Sequence, residues 1–322
     1  MLDKSNDTEY SGLNVNKYNV LNLKPIFNKE NLEHYKHYVI ERQNILKKRQ
    51  QGLPPMWTED KIMQNNRFTN IRRENDKVSK WLIENISTNI NLGLEDKIWR
   101  TIIFRMYNTI NCAEIIEINN PDFWSKIENN SKKLESIEHD SYVYTNAYRI
   151  VQVKSIYKKY YPNRQHRCHI LLYFNDLRNR LKGNILDNIT ESANSAYSWI
   201  LENVYGAGCF LAYQIFVDLT YIPEFPISEN HFVVAGPGCR TGLSFLFDDF
   251  SGLTFEELLF WVRDNFDKIF GDSYSPEELF SNEPEENRNW NVMSIENTFC
   301  EFSKYMYCLT NTHKKPRRYR YS

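Results

Sequence analysis

The stretch Val204–Leu219, VYGAGCFLAYQIFVDL, decides the fold, and 235–243, AGPGCRTGL, closes the same region. Gly206 and Gly208 flank a single residue, and Ala212, Ile215, Phe216 and Leu219 follow at helical spacing. This reads as the turn and second helix of a helix-hairpin-helix. Glycines suit a tight turn where backbone N–H groups approach a ligand closely. A helix N-terminus just beyond such a turn presents unpaired donors and the positive end of a dipole. Together they can hold a phosphate without a basic side chain, so Gly206 and Gly208 are expected to meet a nucleic-acid backbone. A plain helix boundary with two glycines is the competing reading.

Working outward, the chain reads as mainly helical. Leu32–Gln50 carries apolar residues at helical spacing and stops at Gly52, Pro54 and Pro55. Thr58 is placed to cap a short helix, and a longer helix is expected from Arg67, with Phe68, Ile71, Val78, Trp81, Leu82 and Ile86 inward. Arg72, Arg73, Glu74, Asp76, Lys77 and Lys80 crowd this segment. Such a run is commonly a solvated face of paired charges, but adjacent arginines beside Asn70 also suit bidentate binding of phosphate oxygens. Arg105 sits inside the apolar run 98–107 and so needs a partner or a cleft, with Asn108 on its own face. Asp218 sits near the end of the hairpin's second helix, opposing the dipole, which asks for an Arg partner or a catalytic task. In 235–243, Gly236, Gly238 and Gly242 surround Arg240, as in a loop that a ligand approaches. An amphipathic helix is expected over 255–270, ending at Gly271, then an acidic loop and a last helix with Ile295, Phe299, Phe302, Met306 and Leu309 inward. Glu296 and Glu301 lie about 140° apart on that helix and are not expected to share a face.

Composition limits the field. Net charge is -1 over 322 residues, so a nucleic-acid site must be a local patch. The six cysteines show no CxxC, and Cys300, Cys308 and His313 are only a loose group, so no metal and no cofactor is expected. No apolar run reaches the ~18 residues of a membrane span and no leader is read, which points to a protein off the membrane. The expected setting is intracellular, in the nucleus or a virus-infected cell, and not secreted. Residues 1–23 read as a loose polar arm, 24–313 as one helical catalytic domain of one or two lobes, and 314–322 as a basic tail. Lys315, Arg317 and Arg318 of that tail could lie on DNA phosphates. No P-loop, GxGxxG, HExxH or GxSxG segment occurs.

Taken together, WTEDKIMQNNRFTNIRRENDKVSKWL, FRMYN, YTNAYRI, GAGCFLAYQIFVDLTY, AGPGCRTGL and ENTFCEFSKY, followed by KKPRRYR, resemble the alpha-glutamyl/putrescinyl thymine pyrophosphorylase family. These amino acid:DNA transferases are distantly similar to helix-hairpin-helix DNA glycosylases. The motifs occur in the family's order across roughly residues 35–320, and Thr241 stands where the family usually has a second basic residue. The resemblance implies a helix-hairpin-helix DNA-glycosylase-like helical fold. It also implies a transfer reaction on double-stranded DNA carrying a modified pyrimidine. A small amine donor, an amino acid or polyamine, replaces pyrophosphate on a 5-(pyrophosphoryloxymethyl)uracil base.

That chemistry needs cations for the departing pyrophosphate, for which Arg72, Arg73, Arg105 and Arg240 with Gly236 and Gly238 are the candidates. It needs a carboxylate to take a proton from the amine, Asp218 first and Glu301 second. Trp81, Tyr148 or Tyr221 would stack on a base drawn out of the helix. A glycosylase is the rival enzyme, but the region beyond the hairpin reads PISENHF, with Ser228 and Glu229 and no Asp, and the hairpin has no Lys. A non-catalytic DNA-binding module is the third reading.

Overall fold

The computed structural model describes residues 24–139, 143–144, 158–181, 184–271 and 274–311. These residues are mainly helical. Their one sheet is an antiparallel pair, β1 (Ile26–Phe27) with β2 (Phe247–Asp249). They divide into two compact units. One is continuous, Lys77–Ser228, and is called here the inner unit. The other, the outer unit, is built from the chain up to Asp76 and again from Glu229.

In the inner unit, α3 (Lys77–Leu82) runs into a π-helical turn at Ile83–Ser87. The central helix is α4 (Leu94–Tyr107), buried at every position from Lys97 onward. Asn108 ends it in the left-handed conformation, which Asn tolerates better than most residues. Around it lie α5 (Ile110–Ile115), α6 (Ile127–Glu135), α7 (His166–Leu181), α8 (Ile185–Ile189), α9 (Ala193–Asn203) and α10 (Cys209–Leu219). The α9–α10 connection is the glycine turn. Gly206 takes φ 93°, which a side chain would resist, and Gly208 caps α10 without any side-chain bond. The first N–H groups of α10 therefore have no side-chain cap of their own.

The outer unit contains α1 (Lys29–Gln50), α2 (Lys61–Asn65), α11 (Pro237–Leu246), α12 (Phe255–Asp264), α13 (Phe266–Phe270), α14 (Pro276–Leu279) and α15 (Val292–Leu309). Its core is aromatic. Tyr35 of α1 stacks on Phe299 of α15 at 4.7 Å and meets Phe302 edge-on at 5.0 Å. Ile295, Phe299, Phe302 and Met306 are buried, whereas Leu309 at the helix end is exposed.

Four local expectations change. AGPGCRTGL is not a loop: Pro237 starts α11 at the position where its missing N–H costs nothing. Gly238 and Gly242, one turn apart, form the face of α11 that meets α15; a Cβ on Gly242 would stand 2.2 Å from the Phe299 carbonyl oxygen. No helix starts at Arg67. Between Phe68 and Arg72 the backbone bonds go to side chains instead: Thr69 N–H donates to Glu301 and Asn70 N–H to Asp76, while the Phe68 and Thr69 carbonyls accept from Arg42. A 3₁₀ turn at Arg73–Asn75 and then α3 follow. The segment 255–270 breaks at Asn265, whose side chain donates to the Trp261 carbonyl and ends α12. Thr58 does not cap α2; Asp60 does, accepting from Ile62 and Met63, and Thr58 Oγ1 accepts from Asp60 N–H instead.

Candidate active site

The outer unit gathers acidic and basic side chains around the segment 69–76. Arg72 is buried, 1 % exposed, with both terminal nitrogens engaged. Its Nη1 donates to the Asn289 carbonyl and side chain at 3.0 and 3.1 Å, and its Nη2 to Glu74 at 2.5 Å. Glu229 stands 3.6 Å from the same Nη2 and accepts from Asn291 at 2.6 Å. Burial first, then the charge of Glu74, raise the Glu229 carboxyl to about 7, against the pull of Arg72 and the Asn291 bond.

Next to it in sequence, Arg73 is half-buried, and its charge acts on two further carboxyls. Asp76 accepts from Asn70 N–H and Nδ2 at 3.0 and 2.8 Å, yet burial raises it to about 6. Glu296 of α15 accepts from the Gly236 N–H at 3.2 Å, and burial raises it to about 7. Glu301, one turn and a half further along α15, accepts from Thr69 N–H at 3.2 Å and pairs with Lys304. Glu296 and Glu301 are both 4 % exposed, and the charge of Glu301 adds to the rise at Glu296, although the two point about 140° apart. They do not share a face: Glu296 meets Gly236, whereas Glu301 meets Thr69 and Lys304.

Three carboxyls in one unit thus hold protons with affinities near neutrality, beside two consecutive arginines. Carboxyls in that range can both take and return a proton at physiological pH. Among the described residues, no group of three or more His, Cys, Asp or Glu is placed to hold a metal ion.

The residues singled out from sequence fall as follows. Arg72, Arg73, Gly236, Gly238, Arg240 and Glu301 belong to the outer unit; Trp81, Arg105, Gly206, Gly208, Asp218 and Tyr221 belong to the inner unit. The Gly236 N–H already donates to Glu296, and Gly238 faces Cys300 Sγ, so the start of α11 is occupied by the protein's own groups. Arg240 donates from Nε to the Ala235 carbonyl at 3.0 Å, lies 3.7 Å from Glu256 and covers the Phe255 ring. In the inner unit, Asp218 is fully buried and both its oxygens accept from Arg105, Nη2 at 2.6 Å to Oδ1 and Nε to Oδ2. Arg105 Nη1 donates to Asn108 at 2.7 Å. Trp81 stacks on Phe104 with ring centroids 5.2 Å apart. Tyr221 follows α10, with its N–H on the Asp218 carbonyl. Tyr148, Lys315, Arg317 and Arg318 lie outside the described residues.

Asp76, Glu229 and Glu296 were not chosen from sequence as site residues. Asp76 and Glu296 lie inside the quoted motifs RFTNIRREND and ENTFCEFSKY, which was the available signal.

Residues 29–315 match the family described as "5-hmdU DNA kinase, helical domain". A relative described as 5-hmdU DNA kinase, from Bacillus phage SP10, is 22% identical over 289 residues, which cover 83% of this chain. The chain spans 43% of that relative's length. No solved structure matches it. With its family match running over nearly the whole sequence, this chain belongs to the family of 5-hmdU DNA kinase helical domains.

Proposed function

We propose that this chain binds DNA carrying a 5-hydroxymethyluracil-derived base and carries out group transfer at the C5 methylene of that base. The carrying observation is the trio Asp76, Glu229 and Glu296, which hold protons near neutral pH beside Arg72 and Arg73. In the finer form of the reading, a neutral amine attacks the methylene carbon of a pyrophosphorylated base. A C–N bond forms, the C–O bond breaks with its electron pair leaving on pyrophosphate, and the resulting ammonium gives its proton to a carboxylate of the trio. The arginine pair offsets the charge that develops on the leaving group.

DNA engagement is assigned to the inner unit. The turn between α9 and α10 would act as the hairpin of a glycosylase-like fold, its N–H groups facing phosphate. Tyr205 and Phe210, 37 % and 42 % exposed, flank that turn, and Lys159 Nζ lies 3.1 Å from the Tyr205 hydroxyl. Exposed aromatics beside a cation suit an unstacked strand.

A second reading is favoured by the family description. The same carboxylates would take the proton of the 5-hydroxymethyl oxygen as it attacks the terminal phosphorus of ATP, with ADP leaving. One experiment separates the two. The protein is incubated with DNA containing 5-hydroxymethyluracil plus ATP and, separately, with pyrophosphorylated DNA plus a panel of amines and amino acids. Nucleosides are then analysed by mass spectrometry. An amine adduct supports transfer and a phosphate adduct supports the kinase reading. A released base would establish glycosylase chemistry, and an unaltered base in both arms would overturn group transfer.

A further inference from the structure

Asn70 stands between a cation and a carboxyl. Its amide oxygen accepts from Arg42 Nη2 at 2.6 Å, and its Nδ2 donates to Asp76 Oδ1 at 2.8 Å. Chemistry fixes the direction of the amide, because a guanidinium only donates and an ionised carboxylate only accepts. Arg42 and Asn70 are each 6 % exposed, and a hydrogen bond shielded from water is electrostatically stronger than one in water. Neither residue is loose. Arg42 Nε also donates to the Thr69 carbonyl at 2.9 Å, and Asn297 of α15 donates to the Asn70 carbonyl at 3.0 Å. The strap 68–70 is thereby tied to both α1 and α15.

Asp76 receives a second bond from Asn70, from the backbone N–H at 3.0 Å, on the same oxygen, Oδ1. Two donors on one oxygen leave the other, Oδ2, outside both bonds and able to take an arriving proton. Asp76 is half-buried, whereas Glu296 is enclosed at 4 % exposure and Glu229 is taken up by Arg72 and Asn291. Burial and the charge of Glu301 oppose ionisation of Asp76; the Asn70 backbone bond and the charges of Arg42 and Arg73 favour it. A guanidinium at one end of an amide polarises it, so the N–H at the other end donates more strongly.

We propose that Asp76 is the proton acceptor of the trio and that Asn70 and Arg42 are its positioning residues, with Arg42 acting through the Asn70 amide. In the transfer step an ammonium N–H bond breaks, its electron pair stays on nitrogen, and the proton forms an O–H bond on Oδ2. The acceptor role rests on the group transfer proposed above; the hold of Asn70 and Arg42 on Asp76 does not.

Carbon-13 NMR of the full chain, labelled at the aspartate carboxyl carbons, follows this titration directly, with Asp76→Asn identifying the Asp76 signal. Asn70→Leu fills a similar space without an amide and is expected to tighten proton binding at Asp76 at least about tenfold. Arg42→Gln, which loses the charge, shifts it the same way, and Arg42→Lys, which keeps the charge, stays within about threefold of the parent. If Asn70→Leu does not fold, Asn70→Ser, which is smaller and retains the backbone bond, is expected to shift the titration in the same direction. A purely structural role would lower the melting temperature and leave the titration in place, so an unmoved Asp76 signal in a folded Asn70 variant overturns the proposal. Group transfer is then measured against pH, and its inflection is expected to move upward with the NMR titration. An inflection that stays while the Asp76 signal moves overturns the acceptor role and leaves group transfer standing. No transfer by the parent, with the NMR shift present, overturns group transfer and leaves the positioning standing.

Discussion

Glu296, on the last helix, accepts a hydrogen bond at 3.2 Å from the backbone N–H of Gly236, the residue that caps α11. A helix start that an anionic ligand could have used is filled by a carboxyl group of the protein. Burial raises that carboxyl from the ordinary 4.5 to about 7. An acid whose folded affinity for its proton is raised favours the folded state while protonated. Its stabilising effect is full below about pH 4.5 and is lost as pH climbs through about 7. Glu296→Gln keeps an acceptor for Gly236 and never ionises. Its melting temperature is therefore expected to match the parent near pH 4.5 and to exceed it increasingly up to pH 8. Parallel melting curves across that range would show that Glu296 does not titrate there.

Catalysis should read the same groups from the other side. If Asp76, Glu229 or Glu296 takes the proton, turnover rises with pH and levels off above the group's titration point, about 6 for Asp76 and about 7 for the two glutamates. Removing the acting base is expected to lower turnover by about 10²–10⁴-fold. Asp76→Asn, Glu229→Gln and Glu296→Gln are compared with saturating DNA and amine. The variant that loses the inflection along with the rate identifies the base. Three unchanged profiles would remove this cluster from the reaction.

The two glycines of α11 make a prediction about packing. A Cβ at position 242 would lie 2.2 Å from the Phe299 carbonyl oxygen, and main chain cannot swing aside. A Cβ at position 238 would meet Cys300 Sγ at 2.6 Å, a side-chain atom that can rotate away. Gly242→Ala is thus expected to destabilise by about 3 kcal/mol or more, and Gly238→Ala by about 1 kcal/mol. Chemical denaturation of both variants checks the order; equal losses would mean that α11 and α15 can move apart.

Much of this architecture is readable from local pattern. The helices over 29–50, 94–107 and 292–309 announce themselves by spacing, and the buried Arg105 announces a need for a partner, met by Asp218. The acid cluster is less legible because its causes are distant in sequence. Glu296 meets Gly236 across 60 positions, and Glu301 meets Thr69 across 232. The Thr69–Glu301 bond, together with those that Asp76 and Arg42 make to 68–70, keeps 68–72 out of a helix that its apolar spacing favours. Gly238 and Gly242 misled for another reason: glycine serves loops and close helix contacts equally. Their four-residue spacing behind Pro237 was the signal for a helix.

Asp218 allows a sharp distinction between a proton acceptor and a structural anchor. It is fully buried, with both oxygens held by Arg105, itself 3 % exposed. Breaking one side of such a pair strands a charge and costs about 3–5 kcal/mol, whereas replacing both partners by apolar groups is often close to neutral. Asp218→Asn is expected to lower the melting temperature strongly, and Asp218→Leu combined with Arg105→Met to recover much of the loss. Transfer activity, measured below the melting transition, should follow the folded fraction in all three proteins. If the double variant regains stability but has no activity at all, Arg105 or Asp218 takes part in the chemistry rather than holding α4 to α10.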